Sequence, residues 1–169
     1  MKRDIVIINK ASDASFGAVE TIRANITQAN PNAVVITAMS EIIVDTPEKI
    51  KGKRVLVIED GPTLTHGGMS YGAGFMAAKK YHAKKIVSPV QAAVGSIKDV
   101  FVKYPHIQSV LPATGYSKSQ IKDLEQTINN MDIDLVIIGN PVDMASLIHI
   151  KVPTVRVRNK LESLDRPSL

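Results

Sequence analysis

At 169 residues, with 44% hydrophobic and 22% charged side chains, the chain has the composition of one globular domain with a full core, not of a disordered segment. It contains no cysteine, which excludes a disulfide framework, a thiolate metal site and a thiol nucleophile. The same absence suits a reducing compartment, so a cytoplasmic location is expected. The formal net charge is +5, yet aromatic residues make up only 4%, tryptophan is absent and the basic residues are scattered. Nucleic-acid binders cluster Lys and Arg around stacking aromatics, so no nucleic-acid partner is expected. Small polyanionic ligands fit the balance better, beside the plain alternative of surface charge kept for solubility.

In chain order, residues 4–8 read as a strand whose apolar run, Ile5 to Ile8, is broken by Asn9-Lys10. That run is too short for a signal-peptide core, and no apolar run approaches the ~18 residues that a membrane helix needs, so no membrane partner is expected. A helix over 14–29 ends at Asn30-Pro31-Asn32, and a strand over 33–37 follows. Residues 41–45 are open between a short strand and a loop, and 46–48 between a turn and a helix start. Then come a strand at 54–58, a helix at 71–81, a strand at 85–87, a helix at 94–104 and a strand at 109–111. A helix at 117–130 opens on Ser117 with Gln120 three residues on, the pattern of a capping box. A strand at 135–138, a weaker helix at 143–147 and a strand at 154–157 complete the series, and the tail 161–169 is expected to fray or to dock on a partner.

The runs Ile5-Val6-Ile7-Ile8, Val55-Leu56-Val57-Ile58 and Leu135-Val136-Ile137-Ile138 are apolar at consecutive positions. A strand wet on one face would alternate, so these are buried on both faces. Strands alternating with helices therefore predict an α/β fold: three layers around a mostly parallel central sheet, Rossmann-like, in a single domain over 1–169.

The segment 59–74 carries the densest chemistry. It leaves the strand at 54–58, where ligands bind in open α/β sheets, and runs into a helix. Glu59 and Asp60 at the strand end are placed to hold a divalent cation or to act as acid and base, and His66 to donate to phosphate or pass protons. Gly67-Gly68 ahead of a helix start would leave amides free for an anion, with Thr63, Thr65 and Ser70 as further donors. No Walker spacing Gly-x-x-x-x-Gly-Lys-Ser/Thr occurs, and Gly72-x-Gly74 begins no full dinucleotide fingerprint. His82, His106 and His149 stand at no metal-ligand spacing, and no zinc site is indicated. The turns at 89–96, 112–117 and 139–143 also follow strands, so a parallel sheet would bring them to the same rim. Their small residues suit a phosphate site and ordinary tight turns alike. Arg156 and Arg158 alternate on the last strand and share a face, either to neutralise an anion or as a solvated edge.

Asn9-Lys10-x-x-Asp13 after the first strand resembles the base-recognition motif of GTP-binding proteins, with the acidic residue one place later. Residues 36–40, Ile-Thr-Ala-Met-Ser, stand where those proteins place a small Ser-Ala loop against the base.

The stretches Val57 through Met69, Tyr71-Gly72-Ala73-Gly74, Ala93-Val94-Gly95-Ser96, Tyr104-Pro105-His106, Leu111-Pro112-Ala113-x-Gly115-Tyr116, Ile138-Gly139-x-Pro141-x-Asp143 and Val155-Arg156-Val157-Arg158 are long and distinctive. In them the chain resembles the C-terminal part of the cyclic 2,3-diphosphoglycerate synthetase family and its GTPase-like relatives. The resemblance implies that 1–45 corresponds to the end of a P-loop GTPase domain and 46–160 to the family-specific part, with the Walker loop in a preceding segment. It further implies a subunit or fragment of a nucleotide-dependent phosphoryl-transfer enzyme acting on a small phosphorylated acid such as 2,3-diphosphoglycerate. ATP or GTP with Mg²⁺ would then be bound only together with a P-loop partner. In that reading Asn9, Lys10 and Asp13 face the base; Glu59, Asp60 and His66 are catalytic; Thr63, Thr65, Gly67, Gly68, Ser70, Arg156 and Arg158 meet the substrate phosphates. A non-catalytic anion- or nucleotide-binding module and an oligomeric interaction protein, such as a homodimer, remain the alternatives.

Overall fold

Four consecutive β-branched or leucine side chains, Val55 to Ile58, have no exposed surface, and the strand they form organises the computed structural model, which describes residues 4–115, 117–142 and 144–165. Among those residues, seven strands alternate with helices, and the strand pairing is mixed but mostly parallel. The expected α/β, Rossmann-like architecture is present. The chain divides into two compact units, Ile43–Arg158 and the flanking residues on either side, so that two long strands contribute to both.

In the larger unit, strand β3 (Arg54–Asp60) lies at the centre. Along one side it pairs with β6 (Leu135–Gly139), in register from Val55↔Leu135 to Glu59↔Gly139. Along the other side it pairs first with the two-residue β4 (Lys85–Ile86) and then with β5 (Leu111–Ala113), from Ile58↔Leu111 to Asp60↔Ala113. The first half of β7 (Thr154–Ser163) continues the sheet beyond β6, with Ile138 opposite Arg156. The carboxyl ends of β5, β3 and β6 therefore stand side by side, with the middle of β7 next to the end of β6 and neighbouring strands ~4.8 Å apart. Of the helices, α3 (Ala73–Lys80) packs on β3 and β6, α2 (Gly61–Thr65) on β3 and β5, and α4 (Gly95–Lys103) against α5 (Lys118–Asn129). A short α6 (Met144–Leu147) follows β6 and buries Met144.

The smaller unit holds β1 (Ile5–Ile8), α1 (Phe16–Ala29) and the first part of β2 (Val34–Val44). Strand β1 pairs in parallel with β2 from Ile5↔Val34 to Ile8↔Thr37 and stands at the end of the strand order, so the burial on both faces expected of Ile5–Ile8 does not hold: Ile5 and Ile7 are exposed and Ile8 is buried. Helix α1 starts at Ser15, whose Oγ accepts the Ala18 N–H, but buries no side chain.

Local structure departs from the sequence reading or decides what it left open in several places, the strand expected at 109–111 lying instead at Leu111–Ala113. The open stretch 41–45 belongs to β2, which runs unbroken to Val44, so residues 36–40 are strand and not a loop, with Thr37 and Ala38 buried. Residues 47–49 form one 3₁₀ turn. The tail does not fray from 161: β7 extends to Ser163, Leu164 donates its N–H to the Thr37 carbonyl at 2.8 Å, and Asp165 Oδ2 accepts the Thr37 N–H at 2.5 Å. Helix α2 was hidden within a glycine-rich segment that reads as loop. The capping box at Ser117 and Gln120 forms as expected. Tyr116 and Asp143 lie outside the described residues, as do 166–169.

The turn before α4 shows how this fold satisfies its helix starts. Val94 has no capping side chain. Asp123 of α5 accepts both the Ser96 N–H (2.9 Å) and the Ser96 hydroxyl (2.8 Å), and Thr127 Oγ1 accepts the Val94 N–H (3.3 Å). These amides are thus engaged within the protein. Gly95 sits at φ +49°, and a Cβ there would strike the Asp123 carboxylate. Gly95→Ala is expected to destabilise the fold by about 1–3 kcal/mol, the usual cost of forcing a group into filled space, measured by urea unfolding. An unchanged midpoint would show that α4 does not depend on this contact.

Candidate functional site

The end of β3 delivers two consecutive carboxylates, and each closes a different helix. Asp60 is the N-cap of α2: its Oδ2 accepts the Thr63 hydroxyl at 3.0 Å and the Thr63 N–H at 3.4 Å. Glu59 reaches across to α3, where Oε1 accepts the N–H of Gly72 at 3.1 Å and of Phe75 at 2.8 Å. Gly72 is the N-cap residue of α3 and has no side chain to cap with, so the carboxylate from the neighbouring strand takes that role.

Glu59 is only 2% exposed. Its carboxyl lies in a cradle that only glycine permits: an added Cβ would come within 2.7 Å of Oε2 from Gly72, 3.2 Å of Oε1 from Gly74 and 2.5 Å of Oε2 from Gly139. Burial raises its pKa from 4.5 to about 7, against the lowering effect of the backbone hydrogen bonds from Phe75, Gly72 and Gly74; the neighbouring Asp60 charge adds a smaller upward push. At neutral pH the group therefore exists in both protonation states.

Beyond α2, Thr65 and His66 form a short relay. The Thr65 hydroxyl donates to the Gly61 carbonyl at 2.9 Å and lies 3.0 Å from His66 Nδ1. The hydroxyl has one proton and spends it on Gly61, so Nδ1 must be the donor to Thr65. Neutral His66 then carries its free lone pair on Nε2, and the ring is exposed. An exposed, oriented imidazole nitrogen of this kind can take a proton from a bound molecule.

Gly67 and Gly68 were expected ahead of a helix start, but they follow the end of α2, and α3 begins only at Ala73. The Gly67 N–H is engaged by the Pro62 carbonyl at 3.3 Å, and Gly68 turns the chain at φ +63°. Ser70 is exposed in the connection to α3. Thr63 lies half-buried against Asp60.

On the β6 and β7 side of the rim, Arg156 Nη2 donates to the Pro141 carbonyl at 3.1 Å, whereas Arg158 forms an ion pair with Asp45 and is exposed. The two arginines thus separate in role. Asn140, which the sequence reading passed over as part of a turn, is 1% exposed, and its Oδ1 accepts the Val142 N–H at 2.7 Å. Among the described residues, Thr114 Oγ1, Asn140 Nδ2 and Arg156 Nε at this rim are buried without a hydrogen-bond partner. An unpaired buried donor costs about 1–3 kcal/mol, so each of these atoms calls for an acceptor, an ordered water among the candidates. The signal in the sequence was Asn-Pro directly after a buried strand, too common a turn to single out.

Asn9, Lys10 and Asp13 lie together in the smaller unit. Asn9 Oδ1 accepts the Lys10 N–H at 2.7 Å, Lys10 stands at φ +57°, and the Asp13 N–H donates to the Lys10 carbonyl at 3.0 Å. All three are exposed. Among the described residues no group of three or more His, Asp or Glu side chains is placed to share a metal ion, and no helix is long and apolar enough to cross a membrane.

No protein-family model matches the chain. Over 166 residues it is 54% identical to a protein of Thermococcus kodakarensis named Arginine synthetase ArcE; the match covers 98% of this chain and 37% of that protein. The chain therefore spans little more than a third of the relative's length.

Because Glu59 is held with a raised pKa, its native form binds more protons than its unfolded form between pH 4.5 and about 7. Stability is then greatest below pH 4.5, falls as pH rises through this window and levels off above it. Across the whole window the loss amounts to about 3 kcal/mol. Glu59→Gln keeps the acceptor for Gly72 and Phe75 and removes the charge. In urea melts the variant is expected to match the parent at pH 4.5 and exceed it at pH 8. Parallel pH profiles of the two proteins would overturn the assignment.

Proposed function

We propose that this chain is the acceptor-substrate part of a nucleotide-dependent synthetase, with the substrate seated over the rim formed by β5, β3, β6 and β7. The observation that carries the reading is the Glu59-centred rim itself: a carboxyl buried at the carboxyl end of the central parallel strand, with its pKa raised to about 7, and His66 oriented by Thr65 at the end of the helix that follows. Nearly the whole chain aligns with a protein named a synthetase, which supports the same class. Glu59 acts as a positioning residue that fixes α3 against β6. His66 Nε2 takes the proton of the attacking group, and Asp60 with Thr63 borders the substrate.

A synthetase couples cleavage of a nucleoside triphosphate to bond formation, and a triphosphate needs a phosphate cradle with Mg²⁺. We place ATP or GTP with Mg²⁺ on a P-loop segment or subunit that works with this chain. Support comes from the smaller unit, where Ile5 at 63%, Phe16 at 83% and Val34 at 42% leave apolar side chains uncovered around the free edge of β1. Asn9, Lys10 and Asp13 would then border the base.

For the substrate, both helix N-termini at the rim already hold carboxylates, which disfavours a multiply phosphorylated ligand there and favours a molecule with a cationic group. Arginine, named in the relative, has that character. A second reading keeps the small phosphorylated acid such as 2,3-diphosphoglycerate, favoured by the donors Ser70 and Gly68 in the exposed connection after α2, with Arg156 across the rim.

Thermal-shift titrations with arginine, 2,3-diphosphoglycerate, and ATP or GTP with Mg²⁺ separate these readings. A ligand that binds only the folded state stabilises it by ~2.7 kcal/mol at a hundredfold excess over Kd. Arginine is expected to raise the melting temperature, and Asp60→Asn to reduce that rise. A response to diphosphoglycerate alone would replace the first substrate reading by the second. No response to either would overturn the assignment of an acceptor site to this chain.

A further inference from the structure

Two buried donors without acceptors lie at the turn that follows β6. Asn140 Oδ1 is consumed by the Val142 N–H at 2.7 Å, which fixes the side-chain amide and leaves Nδ2 to donate. Arg156, opposite Ile138 in the register, is tied to the same turn by its Nη2 bond to the Pro141 carbonyl at 3.1 Å. Its Nε–H is buried, and among the described residues neither this N–H nor Asn140 Nδ2 meets an acceptor. Asn140 is 1% exposed, so burial of its unpaired amide cannot be relieved by bulk water. Arg156 lies on β7 and Asn140 in the turn that leaves the adjacent parallel strand β6. One carries a fixed positive charge and the other is neutral, a pairing that suits a singly charged oxyanion with two acceptor atoms.

We infer that Asn140 Nδ2 and Arg156 Nε form a subsite for the carboxylate of the small-molecule substrate, at the β6–β7 end of the rim. The identity of the molecule bearing the carboxylate rests on the substrate reading above; the subsite does not. It lies two strands from β5 and one from Glu59, so an elongated substrate anchored here by its carboxylate extends along the strand ends toward Asp60 and His66. Arg158 takes no part, because Asp45 already holds it.

The test follows the side-chain resonances of Arg156 Nε–H and Asn140 Nδ2 by ¹⁵N NMR while acetate, inorganic phosphate, arginine or decarboxylated arginine is titrated into the whole chain. Acetate is expected to shift both resonances saturably, with decarboxylated arginine at least tenfold weaker than arginine. Asn140→Asp keeps the acceptor for Val142 and removes the donor, so it should weaken acetate binding at least tenfold while the backbone amide spectrum stays native. Should that variant not fold, Arg156→Lys, which keeps the charge and removes Nε–H, makes the same comparison. Resonances unmoved by acetate, or showing only a contact with a bound water that acetate does not displace, would overturn the subsite. A response to phosphate without one to acetate would overturn its carboxylate assignment. Acetate binding without arginine binding would leave the subsite standing and remove the substrate reading. Arginine binding that leaves both resonances still would do the reverse.

Discussion

Everything at the carboxyl end of the sheet depends on where the Glu59 carboxylate is held. It accepts from Gly72 and Phe75, and so fixes the start of α3. Its other oxygen rests against Gly139, which sets how closely β6 can approach β3 at the rim. A carboxyl buried to this extent is stable only if its hydrogen-bonding capacity is met. The helix amides that meet it come close enough only because three surrounding positions lack a Cβ. The glycines of this segment therefore serve an internal anion, where glycine-rich strand-to-helix segments commonly serve an external one.

That internal anion changes the electrostatics of the rim. A helix start is normally a place of partial positive charge. Here Asp60 occupies the start of α2, Glu59 that of α3, and Asp123 that of α4. With these three starts holding carboxylates, Arg156 supplies side-chain positive charge at the rim. The carboxylates on β3 and the guanidinium on β7 are separated by a single intervening strand, β6. The rim is consequently polar in the sense of having two ends, negative at α2 and positive at the 140–142 turn. A molecule with one cationic and one anionic group matches that order better than one that is anionic throughout.

Much of this architecture was legible in the sequence. Consecutive apolar residues at 55–58 and 135–138 announced strands buried on both faces, and the parallel registers around β3 are what such strands form. The position of Glu59 and Asp60 at the end of the central strand followed directly from that pattern. What the sequence could not show was the direction in which the glycines act. Gly67-Gly68 has the same composition whether it opens a helix or closes one. The five-residue α2 is held by local capping from Asp60 and leaves no periodic apolar pattern long enough to detect. Asn140 escaped notice for a related reason: an Asn-Pro turn is unremarkable until the burial of its amide is known, and burial is a property of the packed strands on both sides.

The same contrast explains why Arg156 and Arg158, equivalent in the sequence, are not equivalent in space. They alternate by two along β7 and share a face, but the unit's sheet ends its β6 pairing at Arg156. Arg156 therefore meets the turn leaving β6, whose carbonyl at Pro141 orients the guanidinium. Arg158, two residues further on, has passed that turn and meets Asp45 instead. With Arg158 neutralised locally, Arg156 remains at the rim as a cation whose Nε–H is buried and without an acceptor among the described residues; Arg54 Nε shares that condition at the opposite end of β3. A buried guanidinium N–H without an acceptor carries a desolvation cost, which an anion bound there would offset. The pairing of Arg156 with the equally unrequited amide of Asn140 thus gives the rim its second pole, opposite the carboxylates that Glu59 and Asp60 hold in place.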